Sequence, residues 1–223
     1  MPNSASCSYP GINTIRACRF PFSRGVLPSA FTIYCLPFDN LDPTGPLRLT
    51  YNGSDITFQD CAIASASIRK QYDGKWPIWS VTGLDRRWKW GLKRISGNWN
   101  QRYSDGVTIT PNSRKTPGEL ATLILQQLGE GSFDVSRMPQ NVYPRAIWDN
   151  VRCDLALDAL CEYVACEVVL NWQTNAVEIW PSGVGASTPT GAGEVLPKYR
   201  FTPRSGVPSS AQVVCGPSLY QFR

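Results

Sequence analysis

At Thr116 the hydrophobic period of the chain changes, and no single layer of regular structure fits both sides of the change. Before it, Leu49 and Tyr51 alternate with polar residues, Asn52-Gly53 follows, and Ile56 and Phe58 resume the alternation. A period of two around an Asn-Gly pair predicts a β-hairpin. After it, in TPGELATLILQQLGE, Leu120, Leu123, Ile124 and Leu128 fall on one face of a helix. Thr116 is placed as N-cap, Pro117 takes the first helical position, Glu119 closes a capping box and Gly129 stops the helix. A second helix is expected from Asp154 to about Ala165, with Leu157, Leu160, Cys161 and Val164 as its apolar stripe. CEVVLNW and AVEIWP, separated by QTN, then read as a hairpin. Neither helix lies between strands in the order that builds a parallel sheet.

The flanks complete an α+β organisation. Residues 1–46 are rich in Pro, Ser and Asn, and 1–28 read as an N-terminal arm; AFTIYCLP, from Ala30, reads as a strand. Residues 29–112 are expected as the first part of a β domain, 113–181 as a helix, helix and hairpin lobe, and 182–198 as a flexible connection. SGVGASTPTGAG supports that connection, since nine of its twelve residues are Gly, Ser, Thr or Pro. Residues 199–223 are expected as strands returning to the β domain.

Histidine is absent, which removes Ser-His-Asp and Cys-His catalysis in their usual forms and every His-bearing zinc site. The eight cysteines include no C-x-x-C pair, so no metal is expected. MPNSASCSYPG lacks the charged and apolar regions of a signal peptide, so the thiols are expected to be reduced. No apolar run approaches the roughly 20 residues that span a bilayer. Asp154, Asp158 and Glu162 share one helical stripe and read as a solvated face rather than as a catalytic pair. No enzyme and no cofactor is expected.

The window from Arg69 to Arg102 holds nine basic and two acidic residues, against a whole-chain charge of +5. Five of the eight Trp fall in it: Trp76, Trp79, Trp88, Trp90 and Trp99. Two readings stand. Basic side chains that neutralise phosphates beside aromatic faces that stack bases would make a single-stranded nucleic-acid binder of residues 69–102. A strand with Trp88 and Trp90 on one face and Arg87 and Lys89 on the other would instead pack inward and meet a protein partner. Ile78, Trp88 and Trp90 are then candidates for the β-domain core, and Asp85, Arg86, Arg87 and Lys89 for a subunit interface.

From about Asp55 to Trp180 the chain resembles the tail hub proteins of tailed bacteriophages. DITFQDCAIASASIRKQYDGKWPIWSVTGLDRRW is similar to that family's barrel strands and G-x-D-R-x-W turn. KTPGELATLILQQLGEGSFDVSRMPQNVYPRAIWDN and VRCDLALDALCEYVACEVVLNWQTNAVEIWP are similar to its helix, Pro-rich crossing, second helix and hairpin. The resemblance implies a tail-tube-like β-barrel interrupted by a helical lobe. It implies a structural virion protein at the distal end of the tail, made in the host cytoplasm. The implied partners are copies of itself in a ring, as a trimer, together with tail-tube or distal tail proteins and a tip or spike protein. Genomic DNA would pass through the ring without specific binding. Hub subunits in the family usually carry two barrels, whereas this sequence has length for one.

Overall fold

The computed structural model describes residues 5–51, 54–64, 67–73, 76–183, 199–203, 211–215 and 218–222. The chain divides into two compact units, Met1–Trp180 and Pro181–Arg223. The Asn52-Gly53 turn lies outside the described residues, as does most of the connection 182–198.

Seven strands of the first unit form one sheet: β1 (Ala5–Ser8), β2 (Ile15–Arg19), β3 (Ala30–Cys35), β4 (Thr44–Tyr51), β5 (Ser54–Ile63), β6 (Arg69–Asp73) and β7 (Trp76–Leu84). Their order is β1-β4-β5-β7-β3-β2, with β6 pairing β7. The expected hairpin is β4 and β5, in register Leu49 with Ile56 and Leu47 with Phe58. The first residues lie on this sheet: β1 pairs β4 and β2 pairs β3, while Tyr9 and Ile12 between them are buried. Phe31, Ile33, Cys35, Leu47, Phe58, Cys61 and Val81 form the fully buried centre of this sheet's core. No ladder closes the sheet into a barrel among the described residues.

A second core belongs to the helix-bearing part. α1 (Pro117–Leu128) starts as its sequence dictates. Thr116 Oγ1 accepts from the Glu119 amide at 3.3 Å, and Glu119 Oε2 accepts from the Thr116 amide at 2.7 Å. Gly129 ends the helix at φ +82°, a left-handed conformation that glycine adopts without steric cost. Leu120, Ala121, Ile124, Leu125 and Leu128 are buried, whereas Leu123 is only half-buried, so the inward face is turned slightly from the one read off the spacing. α2 (Cys153–Tyr163) buries Ala156, Leu157, Leu160 and Cys161, with Val164 partly buried behind it. Asp158 and Glu162 are exposed, but Asp154 is buried and accepts from Arg152 Nε at 3.1 Å, so the acidic stripe is not uniformly solvated.

β8 (Arg94–Trp99) pairs β10 (Ala146–Arg152), and β9 (Phe133–Asp134), β11 (Cys166–Asn171) and β12 (Ala176–Pro181) form a small sheet in the order β11-β12-β9. The β9–β12 pairing is parallel over two residues, a local exception to the antiparallel reading. Val168, Leu170, Val177 and Ile179 point into the second core. Trp172, just past β11, joins the two cores. It lies against cluster members of both and sits edge-on to Phe58 at 4.4 Å between ring centroids.

In the second unit, β13 (Tyr199–Pro203), β14 (Ala211–Cys215) and β15 (Ser218–Phe222) pair antiparallel in that order.

Candidate functional site

The stretch GLDRRWKW starts as a strand and ends as something else. β7 stops at Leu84, and Arg86–Leu92 form a 3₁₀ helix. Asp85 is the cause, because its carboxylate accepts the Arg87 amide at 2.9 Å and caps the turn. The strand expected across Trp88 and Trp90 is therefore cut short, and the two rings do not share a strand face. Trp90 is fully buried, but in the helix-bearing core. Trp88 is half-buried, and its indole N–H donates to the Asp60 carbonyl at 2.9 Å. Ile78 is half-buried and belongs to neither core cluster; its neighbours Trp79 and Val81 face the sheet core instead, one register step away.

Asp85, Arg86 and Arg87 are brought together, but inside the chain. Asp85 is fully buried and accepts from the Ser29 amide at 2.7 Å, and from Nε and Nη2 of Arg87, the latter at 2.7 Å. Arg87 turns its remaining donors to the Ser23 and Gly25 carbonyls at 3.2 and 2.6 Å and to the Ser29 hydroxyl at 2.8 Å. A buried guanidinium with a counter-charge and several fixed acceptors meets the conditions under which burying charge is tolerable. It has no donor left for a neighbouring subunit. The residues it holds, 23–29, form the loop into β3, and the Gly25 amide of that loop donates to the Val168 carbonyl of β11 at 2.7 Å.

Arg86 reaches the other way. Its Nη1 donates to the Asn175 carbonyl at 3.1 Å and to the Asn175 side-chain oxygen, and its Nη2 lies 3.1 Å from Glu130 Oε2. Asn175 adopts φ +53°, which asparagine tolerates better than most side chains and which lets both of its oxygens meet one guanidinium. Glu130 also accepts the Trp90 indole N–H at 2.7 Å. Arg86 Nε has no hydrogen-bond partner among the described residues. Lys89 pairs with Asp60 at 2.7 Å on the surface. The Asp85–Arg86–Arg87 cluster thus ties the sheet to the helix-bearing core: Arg87 fastens the loop before β3, and Arg86 fastens the end of α1 and the β11–β12 turn. The expectation of charge at an interface fits the residues, but the interface observed lies between two halves of one chain.

The same geometry bears on the basic window. Arg86 and Arg87 are buried, and Trp79, Trp88, Trp90 and Trp99 are all partly or fully covered, Trp99 against Trp148 at 4.9 Å between centroids. The described Trp rings therefore offer no row of open faces on which bases could stack. The side chains of Trp76 and Lys75 lie outside the described residues. Among the described residues no cluster of His, Cys, Asp and Glu could hold a metal, and no helix is long and apolar enough to cross a membrane.

Two features were not legible from the sequence. Asn100 is completely buried at φ +57°. Its amide donates to the Lys115 and Pro144 carbonyls at 2.9 and 2.7 Å, and its oxygen accepts from the Lys115 amide, locking three loops together. An apolar groove of about 330 Å³ opens between β10 and α2, with Ile147, Leu155 and Tyr163 more than half exposed along it.

No protein-family model matches this chain, and no curated protein matches it in sequence. Its fold does have solved counterparts. A tail protein from Neisseria meningitidis MC58 superposes over 84% of this chain and 52% of its own length, with a TM-score of 0.54 at 12% identity. The 43 kDa tail protein of prophage MuSo2 from Shewanella oneidensis covers 81% of this chain and 55% of its own length, with a TM-score of 0.51 at 13% identity. The chain therefore has a fold found in these two tail proteins, one of them from a prophage, and it spans about half the length of each.

Proposed function

We propose that this chain is a structural, non-catalytic component of a bacteriophage tail. More specifically, it acts as a hub subunit in a closed ring at the distal end of the tail, joining the tube to the tip or spike. The observation that carries the reading is the fold shared with two tail proteins, one of them from a prophage, over more than four-fifths of the chain. The covered Trp rings argue against the nucleic-acid alternative, and the lack of histidine narrows catalytic ones. The ring is proposed as three-fold, with a second barrel in a further part of the protein or in another chain.

With Asp85, Arg86 and Arg87 committed internally, contact between copies falls to exposed surface. The apolar groove between β10 and α2 is the best supported candidate. Exposed large apolar side chains that line a concave surface mark interaction sites more often than isolated ones do. Localising the chain in tail particles by electron microscopy tests the reading. Density for three copies round the axis at the distal end is expected, and its absence from the tail would remove the proposal.

A further inference from the structure

β1 and β2 end the main path of the seven-stranded sheet, from which β6 branches at β7, and no ladder joins β1 to β2 among the described residues. The sheet nevertheless curls until Cα atoms of the two strands come within 8 Å of each other. Cys7 lies on β1 opposite Leu49, and Cys18 lies on β2 opposite Ile33. Both thiols rest against the sheet's core, one on each of the two edge strands that approach each other across the open seam. Interaction with Cys7 holds the Cys18 thiol below its ordinary range, and interaction with Cys18 together with burial pushes the Cys7 thiol well above. Both are also partly exposed, whereas Cys35, Cys61, Cys153, Cys161 and Cys166 are buried.

We propose that Cys7 and Cys18 form a disulfide that closes the seam of the sheet when the folded chain meets a small-molecule disulfide of the glutathione type. The Cys18 thiolate attacks one sulfur of the oxidised glutathione. The glutathione S–S bond breaks, and one glutathione leaves as a thiolate that takes up a proton. Cys7 then loses its proton to solvent and attacks the Cys18 sulfur of the mixed disulfide, displacing the second glutathione. Two protein thiols are oxidised and one glutathione disulfide is reduced to two thiols. The new bond would replace the ladder that the two edge strands lack. It also modifies the expectation of fully reduced cysteines: the free pair belongs to a reducing compartment and the bonded pair to an oxidising one.

The test uses the purified full chain, so its failure would leave the tail reading untouched. Incubation with oxidised glutathione, quenching and intact-mass measurement should show the loss of two hydrogens per chain. Non-reducing tryptic digestion should then join residues 1–16 to residues 17–19, which cleavage at Arg16 otherwise separates. The thermal midpoint should rise on oxidation. Cys7→Ser should instead trap glutathione on Cys18 with no such rise. If that variant does not fold, Cys18→Ser gives the mirror test, trapping glutathione on Cys7 more slowly. A folded wild-type chain in which the two thiols stay reduced, take up separate glutathiones, or pair with other cysteines overturns the proposal.

Discussion

Asp85 and Asp60 are both aspartates paired with a basic residue of the same 3₁₀ turn, yet their surroundings give them different weights. Asp85 is fully buried against Arg87, whereas the Asp60 carboxylate is 62% exposed beside Lys89. Asp85→Ala would leave a buried guanidinium without its counter-charge, and a loss of about 3–5 kcal/mol is expected. Asp60→Ala removes a solvated pair and should cost about 0–1 kcal/mol. Urea melts of the two variants give the comparison; similar losses would mean that Arg87 is not held as described. Gly83, the glycine of the same motif, has a steric role. A Cβ there would come within 2.2 Å of the Phe31 ring, which lies in the middle of the sheet core. Gly83→Ala should therefore displace that ring at a cost of about 1–3 kcal/mol, read as a lower denaturation midpoint and a changed near-ultraviolet aromatic signal.

At the scale of elements, α1 is the case in which local chemistry suffices. Thr116→Ala removes one side of the capping box and should cost about 0.5–2 kcal/mol. Ile124→Ala opens a cavity at a fully buried position and should cost more, about 2–5 kcal/mol. The box also has a pH signature. Hydrogen bonding to the Thr116 backbone holds the Glu119 carboxyl below its ordinary range. A depressed carboxyl adds stability that is present above its unfolded pKa and is lost as pH falls through the folded one. The contribution should therefore fade on acidification, and Glu119→Gln, which removes the titrating carboxyl, should abolish that fading; equal acid profiles for the two proteins would contradict it. Both helices, the β4–β5 hairpin and the β11–β12 hairpin were legible because period, caps and turn residues all lie within a short window. The 3₁₀ turn after β7 was not. Trp88 and Trp90 alternate with charged residues as a strand would, and only the tertiary partners Ser29, Ser23 and Gly25 show that Asp85 and Arg87 turn inward. β1 and β2 were missed for a related reason: short polar edge strands have little apolar period of their own and are set by their neighbours β4 and β3.

Across the whole molecule, placing the charges inside changes what a ring-assembly experiment should target. If Arg86 and Arg87 met a neighbouring subunit, reversing both charges would leave a folded chain that fails to assemble. In this structure both are buried, with Asp85 and Glu130 opposite them, so the double substitution to Glu should unfold the first unit before assembly becomes an issue. The groove between β10 and α2 gives the opposite expectation. Leu155 is 52% exposed on α2, and Ile147 is 54% exposed on β10. Leu155→Glu with Ile147→Glu changes side chains already in solvent, where substitutions usually shift stability by no more than about 0.5 kcal/mol. The variant should keep its melting midpoint. If copies of the chain meet through this face, a charge placed in an apolar contact is left without a partner, and binding should weaken by about 2–5 kcal/mol, or roughly 30- to 5,000-fold. Sedimentation of the purified chain at rising concentration, together with tail assembly in infected cells, reads the effect directly. Loss of both the oligomer and the tail at unchanged thermal stability would assign the groove to the ring. Normal tails from the groove variant would send the subunit contact elsewhere on the surface, and folded, assembling chains from the double-Arg variant would undo the internal role given to the Asp85–Arg86–Arg87 cluster.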